Sequence, residues 1–189
     1  MLKLLSRFYF WLTGWKAVGK PPEIKKYVLV AAPHTSNWDL VYAICAWSIL
    51  EMNVKYLAKK ELFKFPLGIL LRAFGGIPVN RTHKGHMVEN MVELLKNEDE
   101  IALIVPVEGT RDFVNEWKTG FYYAALGANV PILLAFLDYK KKEGGMLPNV
   151  IYPTGDIKTD LIKIKTLVKD ITPKYPEKSS LKNFKPEEI

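Results

Sequence analysis

Two hydrophobic rhythms alternate along the chain. Short apolar runs at 27–32, 54–58, 101–105 and 131–136 have the length and flanking breaks of buried strands, and 150–152 is a candidate fifth. Between them, apolar residues recur at helical spacing. A helix is expected from Ser36 or Asn37, as cap, to about Glu51, after the break at Pro33. Others are expected at 61–74 with Pro66 in its early part, at 84–97, at 119–128 and at 159–171. Met87, Met91, Leu94 and Leu95 form one apolar stripe, and Leu161, Ile164, Leu167 and Val168 another. Gly75-Gly76 turns the chain into residues 77–81. This alternation predicts an α/β fold with a mixed, largely parallel central sheet flanked by helices.

Residues 1–16 are dense in apolar residues. Leucines and aromatic residues crowd the run, and Lys3, Arg7 and Lys16 punctuate it, with Gly14 as a helix end. Aromatic and cationic side chains together suit the boundary between acyl chains and headgroups, so an amphipathic interfacial helix is expected. The competing reading packs this helix on the protein's own core. The chain divides as a membrane-interfacial helix at 1–20, one domain at 21–172, and a loosely ordered basic tail at 173–189, rich in Lys, Pro and Ser.

Charge narrows the partners only slightly. Lys and Arg number 27 against 20 Asp and Glu, a net +7, which suits anionic lipid, an acidic carrier protein or phosphorylated substrates. No nucleic-acid motif accompanies the charge. The single cysteine, Cys45, lies in an apolar run and reads as a small core residue; it permits no intrachain disulfide. No apolar stretch reaches the ~18–20 residues of a spanning helix. The N-terminus lacks the pattern of a signal peptide. A peripheral protein on the cytoplasmic face of a membrane is the expected setting.

Candidate chemistry gathers after the strands. His34 follows the first apolar run at the Pro33 break, where ligands bind in open α/β sheets. Asp39, five residues on, falls in the first turn of the next helix. From there its carboxylate can accept the imidazole Nδ1–H and leave Nε2 to take a proton from an alcohol. The spacing alone is equally met by an early-turn carboxylate serving a helix dipole. Val107-Glu108-Gly109-Thr110-Arg111-Asp112 follows the run at 101–105, and Gly76-Ile77-Pro78-Val79-Asn80-Arg81 delivers a second arginine. Gly109 permits close backbone approach, Thr110 offers a hydroxyl, and Arg111 or Arg81 can grip a phosphate. His83 and His86 have no acid or cysteine beside them and read as solvated loop residues; no metal site is expected.

His34-x4-Asp39, Gly76–Arg81, Glu108-Gly109-Thr110-Arg111 and Val130-Pro131-Ile132 occur in the order of the four sequence blocks of the glycerolipid acyltransferases. Over about residues 30–135 the chain resembles this family, the 1-acylglycerol-3-phosphate acyltransferase-like proteins. Trp117-Lys118-Thr119-Gly120-Phe121 also resembles the family's segment after the third block. The resemblance implies His34 as general base and Asp39 as its orienter. It implies Arg81 as a ligand of the acceptor's phosphate, Glu108, Gly109, Thr110 and Arg111 as acceptor-binding, and Pro131 as structural or lining the acyl pocket. It further implies transfer from acyl-CoA or acyl carrier protein to a hydroxyl of a lysolipid acceptor, with no cofactor and no acyl-enzyme. The chain is short for the family, which leaves residues 1–16 as the main anchor. It departs from the family at Val107, where proline is usual, at Asp112, where serine is usual, and in the bulk of Trp38. A thioesterase-like hydrolase, an acyltransferase for a non-glycerophosphate lipid, and a non-catalytic lipid-binding protein are the competing readings.

Overall fold

A computed structural model describes residues 1–79 and 86–185. Its helices are α1 (Leu2–Thr13), α2 (Trp38–Ile49), α3 (Leu67–Ala73), α4 (Met87–Asn97), α5 (Gly120–Ala128) and α6 (Ile157–Val168). Its strands are β1 (Lys16–Val18), β2 (Lys26–Ala31), β3 (Val54–Lys59), β4 (Gly76–Val79), β5 (Ile101–Pro106), β6 (Ile132–Asp138) and β7 (Glu143–Met146). Among the described residues these strands form one sheet in the order β1-β7-β6-β2-β5-β3-β4. Only the β6–β7 pairing is antiparallel, so the sheet is mixed and largely parallel, as the alternation predicts.

Both faces of the sheet are covered, which is why the central strands are apolar at consecutive positions rather than at alternate ones. Val28, Val30, Leu103, Ile132 and Leu134 point into a core with Leu95 of α4, Phe121 of α5 and Ile164 of α6. Tyr27, Leu29, Ala102 and Leu133 point the other way, toward Trp47 of α2. A third cluster joins α1 to this second face through Phe10, Trp15, Cys45 and Leu137. Trp15 stacks on Tyr42 with ring centroids 4.1 Å apart, and Gly14 closes α1 with a left-handed cap.

The structure differs from the sequence pattern at several places. Residues 16–18, grouped with the N-terminal segment, are an edge strand of the sheet. β7 was not expected, because Glu143-Gly144-Gly145-Met146 has neither alternation nor strand-forming residues. Its glycines are what the pairing needs, since a Cβ at Gly145 would lie 1.8 Å from the Val18 carbonyl oxygen. Residues 150–152 form no strand; Ile151 makes a single bridge to Ile132. The helix expected at 61–74 is broken by Pro66 into a 3-10 turn, Lys60–Phe63, and the short α3.

The basic tail is the largest difference. Composition suggested loose order, but residues 173–185 lie along the domain, with Pro173, Ser179 and Leu181 buried. Tyr139 N–H donates to the Thr172 carbonyl at 2.8 Å and pins the start of this strap.

Candidate active site

His34, Glu108 and Tyr139 each stand just beyond the carboxyl end of a central strand: β2, β5 and β6. Because β2 lies between β5 and β6, the three converge on one edge of the sheet. In open α/β sheets this edge is where sites form, because the loops there leave a crevice that the helices do not fill.

Asp39 organises the loop. Its Oδ2 accepts from His34 Nδ1 at 2.9 Å, from Thr35 N–H at 3.0 Å and from Ser36 N–H at 3.1 Å. Its Oδ1 accepts from Tyr139 Oη at 2.7 Å. One carboxylate in the first turn of α2 therefore braces the loop that leads into the helix and holds the imidazole. The contact expected between His34 and Asp39 is present, and the helix-terminal role weighed against it is present too. Asn37, at the cap position, makes no side-chain cap bond; the Trp38 N–H goes to Ser36 Oγ at 3.2 Å instead.

Burial alone would disfavour the charge on Asp39, which is 6% exposed. Hydrogen bonds from His34 and Tyr139, the His34 charge and the backbone at Ser36 outweigh it, so the carboxyl titrates below its ordinary value. Tyr139 shifts the opposite way. Its burial and its bond to the carboxylate push the phenol far above its ordinary value, so it remains a donor. With Nδ1 committed to a carboxylate, Nε2 is the nitrogen that can take up a proton.

Glu108 forms the floor beneath this loop. Its Oε1 accepts from the His34 backbone N–H at 3.4 Å and from Ser180 Oγ at 3.0 Å. Ser180 Oγ in turn accepts from Trp117 Nε1 at 2.7 Å. Glu108 Oε2 is buried with no hydrogen-bond partner among the described residues. Burial dominates at this carboxyl and raises its pKa, against the bonds from its own backbone, Ser180 and His34. Glu108 thus ties the His34 loop, the loop after β5 and the C-terminal strap together.

The remaining candidates line the rim. Gly109 adopts φ +68°, a conformation glycine enters without strain, and it reverses the chain toward Thr110. Thr110 Oγ1 accepts from the Asp112 N–H at 3.3 Å. Arg111 donates through Nε and Nη2 to Asn37 Oδ1, which brings the Glu108–Arg111 block onto the His34–Asp39 block. Pro131 is buried under β6 and accepts from Val28 N–H at 3.0 Å. Arg81 and His83 lie outside the described residues.

Tyr139, Ser180 and the strap were missed by sequence reasoning. Tyr139 carries the same positional signal as Glu108, a polar group just past an apolar run. Ser180 carries none, since its role depends on a strap that folds back 72 residues to meet Glu108. The strap also supplies Lys178, which pairs with Asp112 at 2.8 Å, and the Tyr175 N–H, which reaches Thr35 Oγ1 at 3.1 Å. Lys174 places its ammonium 5.1 Å from the Trp38 ring centroid.

The class defined by fold and site is a doubly covered α/β domain with a histidine–aspartate pair at the carboxyl edge of its sheet. The Acyltransferase family model matches residues 17–134, and the chain belongs to that family. A 1-acyl-sn-glycerol-3-phosphate acyltransferase from Haemophilus influenzae is 29% identical over 131 residues, which cover 65% of this chain and 53% of that protein. The chain thus spans about half the length of this curated relative. The crystal structure of the 1-acyl-sn-glycerophosphate (LPA) acyltransferase PlsC from Thermotoga maritima shares the fold, with a TM-score of 0.62 at 20% identity. That match covers 88% of this chain and 74% of the other.

Proposed function

We propose that the chain moves a fatty acyl group from acyl-CoA or acyl carrier protein to a hydroxyl of a lysophosphatidic acid-like acceptor. The observation that carries the reading is the His34–Asp39 contact at 2.9 Å, formed inside a family-matched domain. Nε2 of His34 takes the proton of the acceptor hydroxyl as its oxygen attacks the thioester carbonyl. The tetrahedral intermediate then collapses, an ester forms, the C–S bond breaks, and the departing thiolate takes the proton back from the imidazolium. Asp39 holds the tautomer and stabilises the imidazolium, as in a catalytic triad whose nucleophile is supplied by the substrate. Arg81 binds the acceptor's phosphate, Gly109, Thr110 and Arg111 help bind the acceptor, with Arg111 giving up or sharing Asn37, and the buried Glu108 shapes the site beneath them.

The reaction takes place at a membrane surface, on the cytoplasmic face. No helix among the described residues is long and apolar enough to cross a bilayer. α1 instead presents Leu4, Leu5, Phe8, Trp11 and Leu12 to solvent while Phe10 faces the core. These positions recur at helical spacing and make one apolar stripe, the form of a helix that lies in the headgroup–acyl boundary.

The test supplies labelled acyl-CoA or acyl carrier protein with lysophosphatidic acid, other lysolipids and ornithine lipids. Phosphatidic acid, formed from lysophosphatidic acid and lost in His34→Ala, is the expected product. Free fatty acid alone, for every acceptor, would instead establish a thioesterase-like hydrolase in which water replaces the alcohol.

A further inference from the structure

We propose that residues 59–70, the end of β3 with the 3-10 turn and the start of α3, form a second membrane-docking surface that seats on anionic lipid together with α1. The inference rests on the membrane placement proposed for α1 and extends it to a part of the fold with no role in the site.

The segment is apolar on the outside for no internal reason. Its inward contacts are already filled by Phe63 and Gly68, both buried. Gly68 sits so close that a Cβ would lie 2.1 Å from the Phe63 carbonyl oxygen. Tyr56 Oη reaches the Leu71 carbonyl at 3.4 Å, and Arg72 lies 5.2 Å from the Phe63 ring centroid and bonds the Gly68 carbonyl. With the inner side closed, Phe65 is still 86% exposed, Ile69 65%, and Leu62, Leu67 and Leu70 about half. Water-facing apolar side chains in such a cluster mark a contact surface.

Charge identifies the occupant. Lys59, Lys60 and Lys64 are exposed around the apolar side chains, against the single acid Glu61. An apolar centre rimmed by lysines suits acyl chains below and anionic headgroups around them. Position agrees. Tyr56, which touches α3, packs with Trp47 of α2 on the second face of the sheet, and α1 packs on α2 as well. Both apolar surfaces therefore lie on one face of the sheet, on either side of α2, whose Leu40 and Val41 are also exposed.

The experiment is co-sedimentation of the full chain with phosphatidylcholine vesicles, with and without phosphatidylglycerol. Phe65→Ser/Ile69→Ser is expected to weaken binding at both compositions by about tenfold or more. Lys59→Gln/Lys60→Gln/Lys64→Gln is expected to weaken binding by a similar factor only where phosphatidylglycerol is present. The altered side chains are exposed, and unchanged thermal melts verify the fold. Wild-type binding that both variants retain would overturn the inference and leave α1 as the docking element. A Phe65→Ser/Ile69→Ser variant that instead sediments in a smaller form than wild type without lipid, with vesicle binding intact, would also overturn it, since the patch would be covered by a second copy. Absence of vesicle binding by the wild-type chain would sink the membrane placement itself.

Discussion

Tyr139 Oη donates to Asp39 Oδ1 at 2.7 Å, opposite the oxygen that holds His34. The two side chains are 100 residues apart and meet because β6 lies beside β2 in the sheet. Tyr139→Phe keeps the ring among Trp15 and Tyr42 and deletes only the donor. Tyr139 helps hold the Asp39 carboxyl low, so its loss raises that pKa. A fall in kcat of up to about tenfold is expected, with acceptor KM unchanged, well short of the ~10²–10⁴ expected for a lost base. The acid side of the pH–rate profile moves to higher pH. A profile unmoved by the substitution would reduce Tyr139 to packing.

Asp39→Asn separates orientation from simple charge. The amide preserves shape and can keep its oxygen toward Nδ1 and the Thr35 and Ser36 N–H groups, with its NH2 toward Tyr139 Oη, but it carries no charge to stabilise the imidazolium. We expect kcat to fall by ~10²–10⁴ while thioester binding is kept. Activity near wild type in steady-state assays would show that the hydrogen bond to Nδ1 suffices and the carboxylate charge is not needed.

The two buried carboxyls respond to pH with opposite signs. Asp39 titrates below its ordinary 3.8 in the fold, so it adds stability above that pH and loses it as the pH falls through the lower folded value. Glu108 titrates above its ordinary 4.5, so its protonated form favours the fold and this benefit fades as pH rises from 4.5 through the raised value. Glu108→Gln should therefore compare better with wild type at about pH 7 than at about pH 4. Urea unfolding at both pH values checks this; a difference independent of pH would mean that Glu108 keeps its ordinary pKa.

Removal of the strap should be felt in the site and in the fold together. Leu181→Ala empties a buried position and should cost about 2–4 kcal/mol. Ser180→Ala unlinks Glu108 from Trp117 and should cost about 1–2 kcal/mol, with some loss of kcat through the His34 loop. Urea unfolding of the two variants beside wild type supplies the comparison. Transitions coincident with wild type would indicate that residues 173–185 do not pack in solution.

Much of this was legible in residue order because the controlling physics is local. The central strands announce themselves as unbroken apolar runs, since both faces are covered. His34 and Glu108 announce themselves as polar groups at the ends of such runs. Short-range patterning carries no trace of β7, because there the fit of glycine backbone against Val18 outranks strand propensity. It misjudges residues 173–185 for a related reason. A segment poor in apolar residues has little to signal order, yet a few placed contacts from Thr172, Tyr175, Lys178, Ser180 and Leu181 suffice to seat it. The departures Asp112 and Trp38 also make sense only against this strap, whose Lys178 and Lys174 face them.

The strap also sets an order of events. Glu108 receives Ser180, and Thr35 receives the backbone of Tyr175, from a segment made long after both loops have left the ribosome. A partly synthesised chain can therefore carry His34 and Asp39 without the wall that braces them. The pair is fully braced only when the strap closes onto both loops.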